Sequence, residues 1–377
     1  MTSRPRILQV ITSLAVGGAQ HHLLSLIPAI TKSADVDLLY FRDHDLRREF
    51  EPMVKSVSHL PMAGPAGAIR LPELVACIRH RRYSLVHTHL LRADMYGALA
   101  ARVAGVNAIV STKHNIEARL ASAPSRLMHR IATHPTTRTI AISSAVSRWT
   151  VERLGVDAQT VRVIRYGLAP SSFNTSDRTT ARLDLGIDVE TPVLLCPARL
   201  DPQKRHDVLL RSFARVRTKV PGALLLCAGE TQLGGTAYRA GLQHLSVELG
   251  IDNAIRWLGV RSDIPDLMAA ADIIALASDW EGLGLVLMEA AMARRAVVAT
   301  SVGGVPEIVR HGQTGILVPP GNVAVLASEL ISLFSDHDRR SRMAASAGQY
   351  ARSVFDLNVM QDATTALYSE LLGQSLA

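Results

Sequence analysis

The stretch that most restricts the fold of this chain runs from Ile273 to Ala299. Ile273-Ile-Ala-Leu-Ala277 is an apolar run of strand length. Ser278-Asp-Trp-Glu-Gly-Leu-Gly284 interrupts it as a turn, and Leu285 to Ala293 is rich in Leu, Met and Ala, which favour helix. Ala296-Val-Val-Ala299 then reads as a second buried strand. Strand, turn, helix, strand predicts a βαβ unit, because parallel neighbours need a crossover between them. The turn sits at the carboxyl end of a strand, where open α/β sheets bind ligands. Gly282 and Gly284 leave backbone N–H groups free to approach an anion at the helix start.

Two carboxylates mark this unit, Glu281 in the turn and Glu289 in the helix. Glu289 stands among Leu285, Val286, Met288, Ala290 and Met292, where a carboxylate needs a partner such as ligand hydroxyls. Taken alone, the pair is equally an ordinary loop Glu and a solvated helix Glu. The wording around them decides more. Glu281-Gly-Leu-Gly-Leu-Val-Leu-Met-Glu289 followed by Val297-Val-Ala-Thr-Ser-Val-Gly-Gly-Val-Pro-Glu307 resembles the nucleotide-sugar signature of retaining glycosyltransferases of family 4. That family has the GT-B fold, an α/β architecture of two Rossmann-like domains facing an interdomain cleft. The resemblance implies that Glu281 lies near the donor sugar and that Glu289 holds the ribose hydroxyls. It implies also that Gly282, Leu283 and Gly284 face the donor. One departure is Arg294-Arg-Ala296, where the family has Gly, any residue, then Pro.

At 377 residues the chain has room for two domains of ordinary size. The three cysteines, Cys77, Cys196 and Cys227, are scattered, show neither a disulfide framework nor metal spacing, and suit a reducing compartment. No apolar run approaches the roughly 18–20 residues of a membrane span. Residues 1–170 carry a net charge of +11 and residues 171–377 a net of −3. The basic half predicts an anionic ligand or surface on that side, with plain solubility as the bland alternative. Aromatic residues at 4% leave little stacking platform for nucleic acid bases.

From the N-terminus, Arg6 to Thr12 reads as a strand, Ser13 to Gln20 as a loop, and His21 to Ile30 as a helix. The Gly17-Gly18 pair is by itself only a tight turn. Its place after the first strand resembles the family's N-terminal glycine loop, which makes both glycines donor candidates. Val36 to Phe41 is a second strand, and Tyr83 to His87 a third that leads to Thr88, His89 and Leu90. Alternation puts His87 and His89 on one face. A buried, hydrogen-bonded histidine is the bland reading, and the family's His-x-His implies that His89 lines the acceptor side. Ala108 to Thr112 is a strand with His114 just beyond it, and the resemblance places this His beside the donor sugar. Ala118 to Ala132 is amphipathic, with Arg119, Arg126 and Arg130 expected on its exposed side. Ser143 and Ser144 are helix caps after the strand Thr139 to Ser143.

Residues 168–190 are rich in Ser, Thr, Asp and Pro and lack periodicity, which predicts a linker. The resulting division is 1–168 as the acceptor-side domain, 169–190 as the linker, 191–354 as the nucleotide-sugar domain, and 355–377 as a helix crossing back to the first domain. In the second domain, Arg199 and Lys204 follow the strand that starts at Pro192. A solvated basic loop is the bland reading. The match to the family's Gly-Arg-Leu…Lys-Gly element implies instead that both hold the donor diphosphate, although Arg205 replaces the usual Gly. Val260 and Arg261, after the strand Ile255 to Gly259, are implied base-side residues.

The sequence thus predicts a retaining hexosyltransferase. It would move a sugar from a nucleoside-diphosphate sugar to an acceptor hydroxyl in polysaccharide, lipopolysaccharide or glycolipid synthesis. His114, Glu281, Arg199 and Lys204 are its catalytic set. It is expected to use neither cofactor nor metal, since no Asp-x-Asp stands in a suitable loop. It is expected in the cytoplasm, with peripheral contact to an anionic membrane and none with nucleic acid. A GT-B epimerase that hydrolyses the donor and a non-catalytic nucleotide-sugar-binding protein are the rival readings.

Overall fold

A computed structural model describes residues 4–44, 46–62, 66–117, 120, 122–173, 177–231 and 235–376. The chain divides into two compact units, one of residues 1–167 with 357–377, the other of residues 168–356. Arg119, expected on an exposed helix face, lies outside the described residues.

Unit 1 is built on a parallel sheet of β1 (Arg6–Ile11), β2 (Asp35–Tyr40), β3 (Ser56–His59), β4 (Leu85–His89), β5 (Ala108–Lys113), β6 (Arg138–Ala141) and β7 (Val161–Val163). Their order across the sheet is β3-β2-β1-β4-β5-β6-β7. The central strands are buried on both faces, as near-continuous apolar runs require: β1 is buried from Ile7 to Ile11 and β4 throughout. In register, Gln9 pairs with His87 and Ile11 with His89. The sequence reading missed β3, Ser-Val-Ser-His, because a half-exposed edge strand lacks an apolar signature. The helix Leu357–Leu372 packs Met360, Leu367 and Tyr368 into the core of this unit beside Ile7, Val36 and Leu85.

Unit 2 holds a second parallel sheet of β8 (Val193–Pro197), β9 (Leu224–Ala228), β10 (Ile255–Gly259), β11 (Ile273–Leu276), β12 (Ala296–Thr300) and β13 (Ile316–Val318), in the order β10-β9-β8-β11-β12-β13. The βαβ unit of the opening stretch is present as β11, the helix Leu285–Met292 and β12, paired in parallel from Ile273↔Ala296 to Leu276↔Ala299.

In each sheet the chain goes out one way from a central strand and then returns to continue on the other side. The reversal falls between β1 and β4 in unit 1, and between β8 and β11 in unit 2. Successive connections diverge there and leave a crevice outside the carboxyl ends of the strands.

The stretch expected as a linker, residues 169–190, falls within unit 2. It contains a helix, Arg178–Asp184, capped by the Asp177 carboxylate, which accepts from the backbone N–H groups of Thr179 and Thr180. Arg182 anchors that helix and is completely buried. Its guanidinium donates to the carbonyls of Ala270 (2.9 Å), Asp188 (3.1 Å), Thr191 (2.8 Å) and Val189, and to Asp272 Oδ2 (3.0 Å). Asp272 in turn accepts from the N–H of Val193 at the start of β8 (2.8 Å) and from Arg178 (2.6 Å). A polar helix is thereby held by one charged side chain that no periodicity in the sequence reveals.

Removing that side chain strands several buried carbonyls and a buried carboxylate. Arg182→Met is therefore expected to destabilise unit 2 by about 3 kcal/mol or more, the scale of a broken buried pair. Urea denaturation followed by circular dichroism checks this; an unchanged midpoint would remove Arg182 as the anchor.

Candidate functional site

The crevice of unit 2 is walled by the loop after β8, residues 198–205, and the loop after β11, residues 277–284. Four contacts tie the loops together. Asp279 N–H donates to the Gln203 carbonyl (2.9 Å), and Gln203 Nε2 donates to the Trp280 carbonyl (2.7 Å). Lys204 Nζ meets Glu281 Oε1 at 2.6 Å, and Arg205 bonds both oxygens of Asp279 at 3.0 and 3.2 Å. Glu281 is nearly buried and accepts a further bond from Ser278 Oγ (2.6 Å). Thr300, at the end of β12, donates to the Ser278 carbonyl (2.6 Å) and fixes that serine. Arg199, partly exposed, stands 3.2 Å from the buried Asp201. The cations named from sequence are thus held at the loop mouths by acids of the same loops.

Glycine is required at two points here. Gly303 has φ +51°, and a Cβ on it would lie 1.8 Å from the Glu281 carbonyl oxygen. The segment after β12 therefore presses directly on the backbone of Glu281. Gly284 has φ +97° and caps the helix Leu285–Met292, where a Cβ would meet Leu287 at 3.2 Å. Leu283 and Gly282 beside it are buried. Arg205 (φ +49°) and Arg294 (φ +52°) adopt the same left-handed backbone without being glycine. These are two positions where the resembling family has Gly. The loop geometry is kept, at a cost of order 1 kcal/mol for each non-glycine residue.

Glu289 is half-buried in the helix, and its side chain makes no hydrogen bond or ion pair among the described residues. Burial pushes its carboxyl up to about 7. Val260 is 66% exposed at the end of β10, and Arg261 is held by Asp263 (Nε to Oδ1, 2.7 Å).

Around the crevice of unit 1, the loop after β1 and the end of β4 are joined by Thr12, whose N–H donates to the His89 carbonyl (3.3 Å) while its Oγ1 accepts from Ala93 N–H (3.1 Å). Gly17 is extended (φ −179°) and precedes the helix Gly18–Ile30, which begins three residues earlier than expected. Its first turn has no side-chain cap, so the N–H groups there are available to an anion. His87 and His89 are both completely buried, with ring centroids 4.1 Å apart. His89 Nδ1 is 3.0 Å from His114 Nε2, and His114 Nδ1 is 2.7 Å from the Tyr166 hydroxyl. His22 stacks on Tyr166 at 4.8 Å. Burial holds His87, His89 and His114 well below the usual histidine range, and holds His22 at about 4, so all four rings are neutral at pH 7. No group of three or more His, Cys, Asp or Glu among the described residues is arranged to hold a metal.

Two family models match the chain in succession. Residues 16–171 match Glycosyltransferase Family 4, and residues 177–351 match Glycosyl transferases group 1. The chain belongs to glycosyltransferase family 4. Among curated relatives, the D-inositol 3-phosphate glycosyltransferase of Mycobacterium tuberculosis is 30% identical over 308 residues, 78% of this chain. That match spans 62% of the relative's own length. Among solved structures, Anabaena HepE in complex with UDP and glucose superposes with a TM-score of 0.87 at 25% identity, over 96% of this chain and 99% of that one. Sucrose-phosphate synthase of Thermosynechococcus elongatus superposes at 0.84 with 19% identity, over 98% and 100%. The fold of this family 4 chain is GT-B.

Within each unit several residues named from sequence lie at the carboxyl ends of the central strands, while Glu289 lies inside the helix Leu285–Met292 and Val260 and Arg261 just after β10. Arg199, Lys204, Glu281, Gly282, Leu283 and Gly284 come from the loops after β8 and β11, whereas Gly17 and Gly18 follow β1, His89 ends β4 and His114 follows β5. His22, Gln9, Tyr166 and Tyr368 were missed. They adjoin the histidines only through space, and no spacing in the sequence points to them. Both ring nitrogens of His114 have partners inside unit 1, His89 Nδ1 and the Tyr166 hydroxyl.

The Lys204–Glu281 pair sets a measurable coupling. Lys204→Met leaves the Glu281 carboxylate nearly buried with Ser278 as its remaining side-chain partner among the described residues, and is expected to cost about 3 kcal/mol. The double substitution Lys204→Met with Glu281→Gln is expected to recover most of that loss. Strict additivity in a double-mutant cycle by urea denaturation would show that the two do not interact.

Proposed function

We propose that this protein is a retaining glycosyltransferase that moves a hexosyl group from a UDP-sugar to an acceptor hydroxyl. The observation that carries the reading is the pair of loops in unit 2 that brings Arg199, Lys204 and Glu281 to one crevice at the sheet reversal. Support for the nucleotide comes from HepE, which was solved in complexes with UDP and with UDP-glucose. The chemistry needs the bond from the anomeric carbon to the diphosphate oxygen to break, and the bond to the acceptor oxygen to form on the same face. The acceptor proton passes to an oxygen of the leaving diphosphate. The protein then supplies position and charge. Arg199 and Lys204 take the leaving diphosphate, Lys204 exchanging part of its contact with Glu281 for a phosphate oxygen. Glu281 is released to orient the sugar, Glu289 accepts the ribose hydroxyls, and Val260 borders the base. In unit 1, the N–H groups at Gly17 and Gly18 face the donor, His114 borders the sugar and His89 the acceptor. The reaction runs without a cofactor or metal and survives EDTA. Inversion at the anomeric carbon, read by NMR of the product, would overturn the retaining route. Donor hydrolysis without transfer would favour the epimerase reading.

A peripheral membrane contact belongs to the same proposal. No helix among the described residues is long and apolar enough to cross a membrane. The helix Ala123–Thr133 leaves Leu127, Met128 and Ile131 exposed beside Arg130. The exposed side expected to be basic is therefore also apolar, the pattern of a helix lying on an anionic surface. Binding to vesicles of anionic phospholipid is expected at low salt, weakening as salt rises, and Ile131→Glu should reduce it severalfold. Equal binding to neutral vesicles would count against the contact.

Glu289 offers a sharper test. An ionised carboxylate accepts two ribose hydroxyls, whereas the free protein holds this group protonated up to about pH 7. UDP binding should therefore release a fraction of a proton between pH 5.5 and 7, measured by calorimetry in buffers of different ionisation enthalpy. Glu289→Gln should abolish that release and weaken binding by roughly 1–2 kcal/mol at pH 8, with a smaller loss at pH 5.5. Proton release that persists in Glu289→Gln would sink the ribose role.

A further inference from the structure

We propose that Gln9 and Tyr368 are positioning residues which, through one unbroken hydrogen-bond chain, fix which ring nitrogen of His89 and of His114 carries the proton. This rests on the reading that His114 borders the donor sugar.

The chain has seven members, all in unit 1. Thr112 Oγ1 lies 2.7 Å from His87 Nε2, and His87 Nδ1 lies 2.5 Å from the Tyr368 hydroxyl. The Tyr368 hydroxyl is 3.2 Å from Gln9 Nε2, and Gln9 Oε1 is 2.9 Å from His89 Nε2. His89 Nδ1 meets His114 Nε2 at 3.0 Å, and His114 Nδ1 meets the Tyr166 hydroxyl at 2.7 Å. Apart from the Gln9 amide, whose nitrogen only donates and whose oxygen only accepts, every member can serve in either role. A neutral imidazole has one donor and one acceptor, and a hydroxyl has one proton to give. Burial keeps every ring neutral and raises both tyrosines above their usual range.

Under those rules the direction of one bond dictates all the others. Gln9 makes the choice, because its amide has distinct ends. With its NH2 donating to Tyr368, its oxygen accepts from His89 Nε2–H. His89 Nδ1 then accepts from His114 Nε2–H, and His114 Nδ1 accepts from Tyr166. On the other side, Tyr368 donates to His87 Nδ1, and His87 Nε2–H donates to Thr112. Turning the Gln9 amide over reverses every bond at once, and no mixed state satisfies the buried groups. The helix Leu357–Leu372 thus sets the polarity of a histidine that stands 254 residues earlier in the sequence, between Lys113 and Asn115.

The test uses the full chain with 15N-labelled histidine and long-range 1H–15N spectra, which separate the two neutral tautomers and the cation. In the wild type His87, His89 and His114 are expected to be Nε2–H. Thr112→Val removes the acceptor of His87 Nε2–H, so His87 should turn to Nδ1–H and His89 and His114 should follow. Tyr368→Phe takes away the acceptor of the Gln9 amide, so His89 and His114 should show exchange between tautomers. In Tyr368→Phe, kcat should fall on the order of tenfold with the KM for UDP-sugar little changed, as expected for misplaced rather than missing groups. Wild-type rings of unlike tautomer, or unaltered His89 and His114 signals in both variants, would overturn the coupling. Tautomers that shift while kcat stays constant would overturn the role at the sugar and the reading of His114 on which it rests.

Discussion

Everything functional in this protein follows from one constraint of parallel sheets: neighbouring strands can be joined only by a crossover, and a sheet begun at its centre must at some point reverse direction. The reversals fall between β1 and β4 and between β8 and β11. At each, two loops part and leave backbone and side chains of both facing an open crevice. In unit 2 that crevice is closed at its base by the Lys204–Glu281 pair and the Arg205–Asp279 clamp. In unit 1 it is closed by rings. The same topological necessity is thus met with a charged solution in one unit and a neutral one in the other.

The charged solution suits a site that must accept an anion. On the proposed function, a lysine held by a glutamate is already positioned, and its charge is partly neutralised until a donor phosphate competes for it. The neutral solution suits a site where charge would be costly. Four histidines lie within contact of one another, and burial keeps them all unprotonated. Their rigidity comes from hydrogen bonds whose directions must agree. The partly buried Glu289 stands apart from both schemes, since it has neither counter-charge nor donor among the described residues. Its folded-state carboxyl titrates near 7 rather than near 4.5, so the folded chain binds more protons than the unfolded one between those values. Stability from this residue therefore falls as pH rises from about 4.5 to about 7, and is constant above.

Much of the fold was legible. Ile273 to Ala277 and Ala296 to Ala299 announce buried strands because they are apolar without interruption, and the helix expected within 355–377 runs Leu357–Leu372. Ser143 was correctly taken as a cap, accepting from Val146 N–H at 3.0 Å. What escaped was whatever owed its state to distant residues. The helix Arg178–Asp184 exists because Arg182 finds carbonyls and a carboxylate 6 to 90 positions away. Tyr368 meets His87 across 281 positions. The substitutions Arg205 and Arg294 showed the converse: each departs from the family's glycine, yet the backbone keeps the left-handed turn that glycine takes freely. A motif can therefore lose its characteristic residue and retain its shape.

The composition of unit 1 has a consequence for how the chain is made. Residues 168–356 are an insertion, and the sheet emerging first from the ribosome lacks the helix that seals one of its faces. Until residues 357–376 appear, Ile7, Val36 and Leu85 lack the cover of Met360, Leu367 and Tyr368, and His87 and Gln9 lack the hydroxyl between them. Unit 2 is contiguous and has all its parts before unit 1 does, although it starts later. The parts of unit 2 are thus complete in the chain before those of unit 1, whose core awaits its last helix.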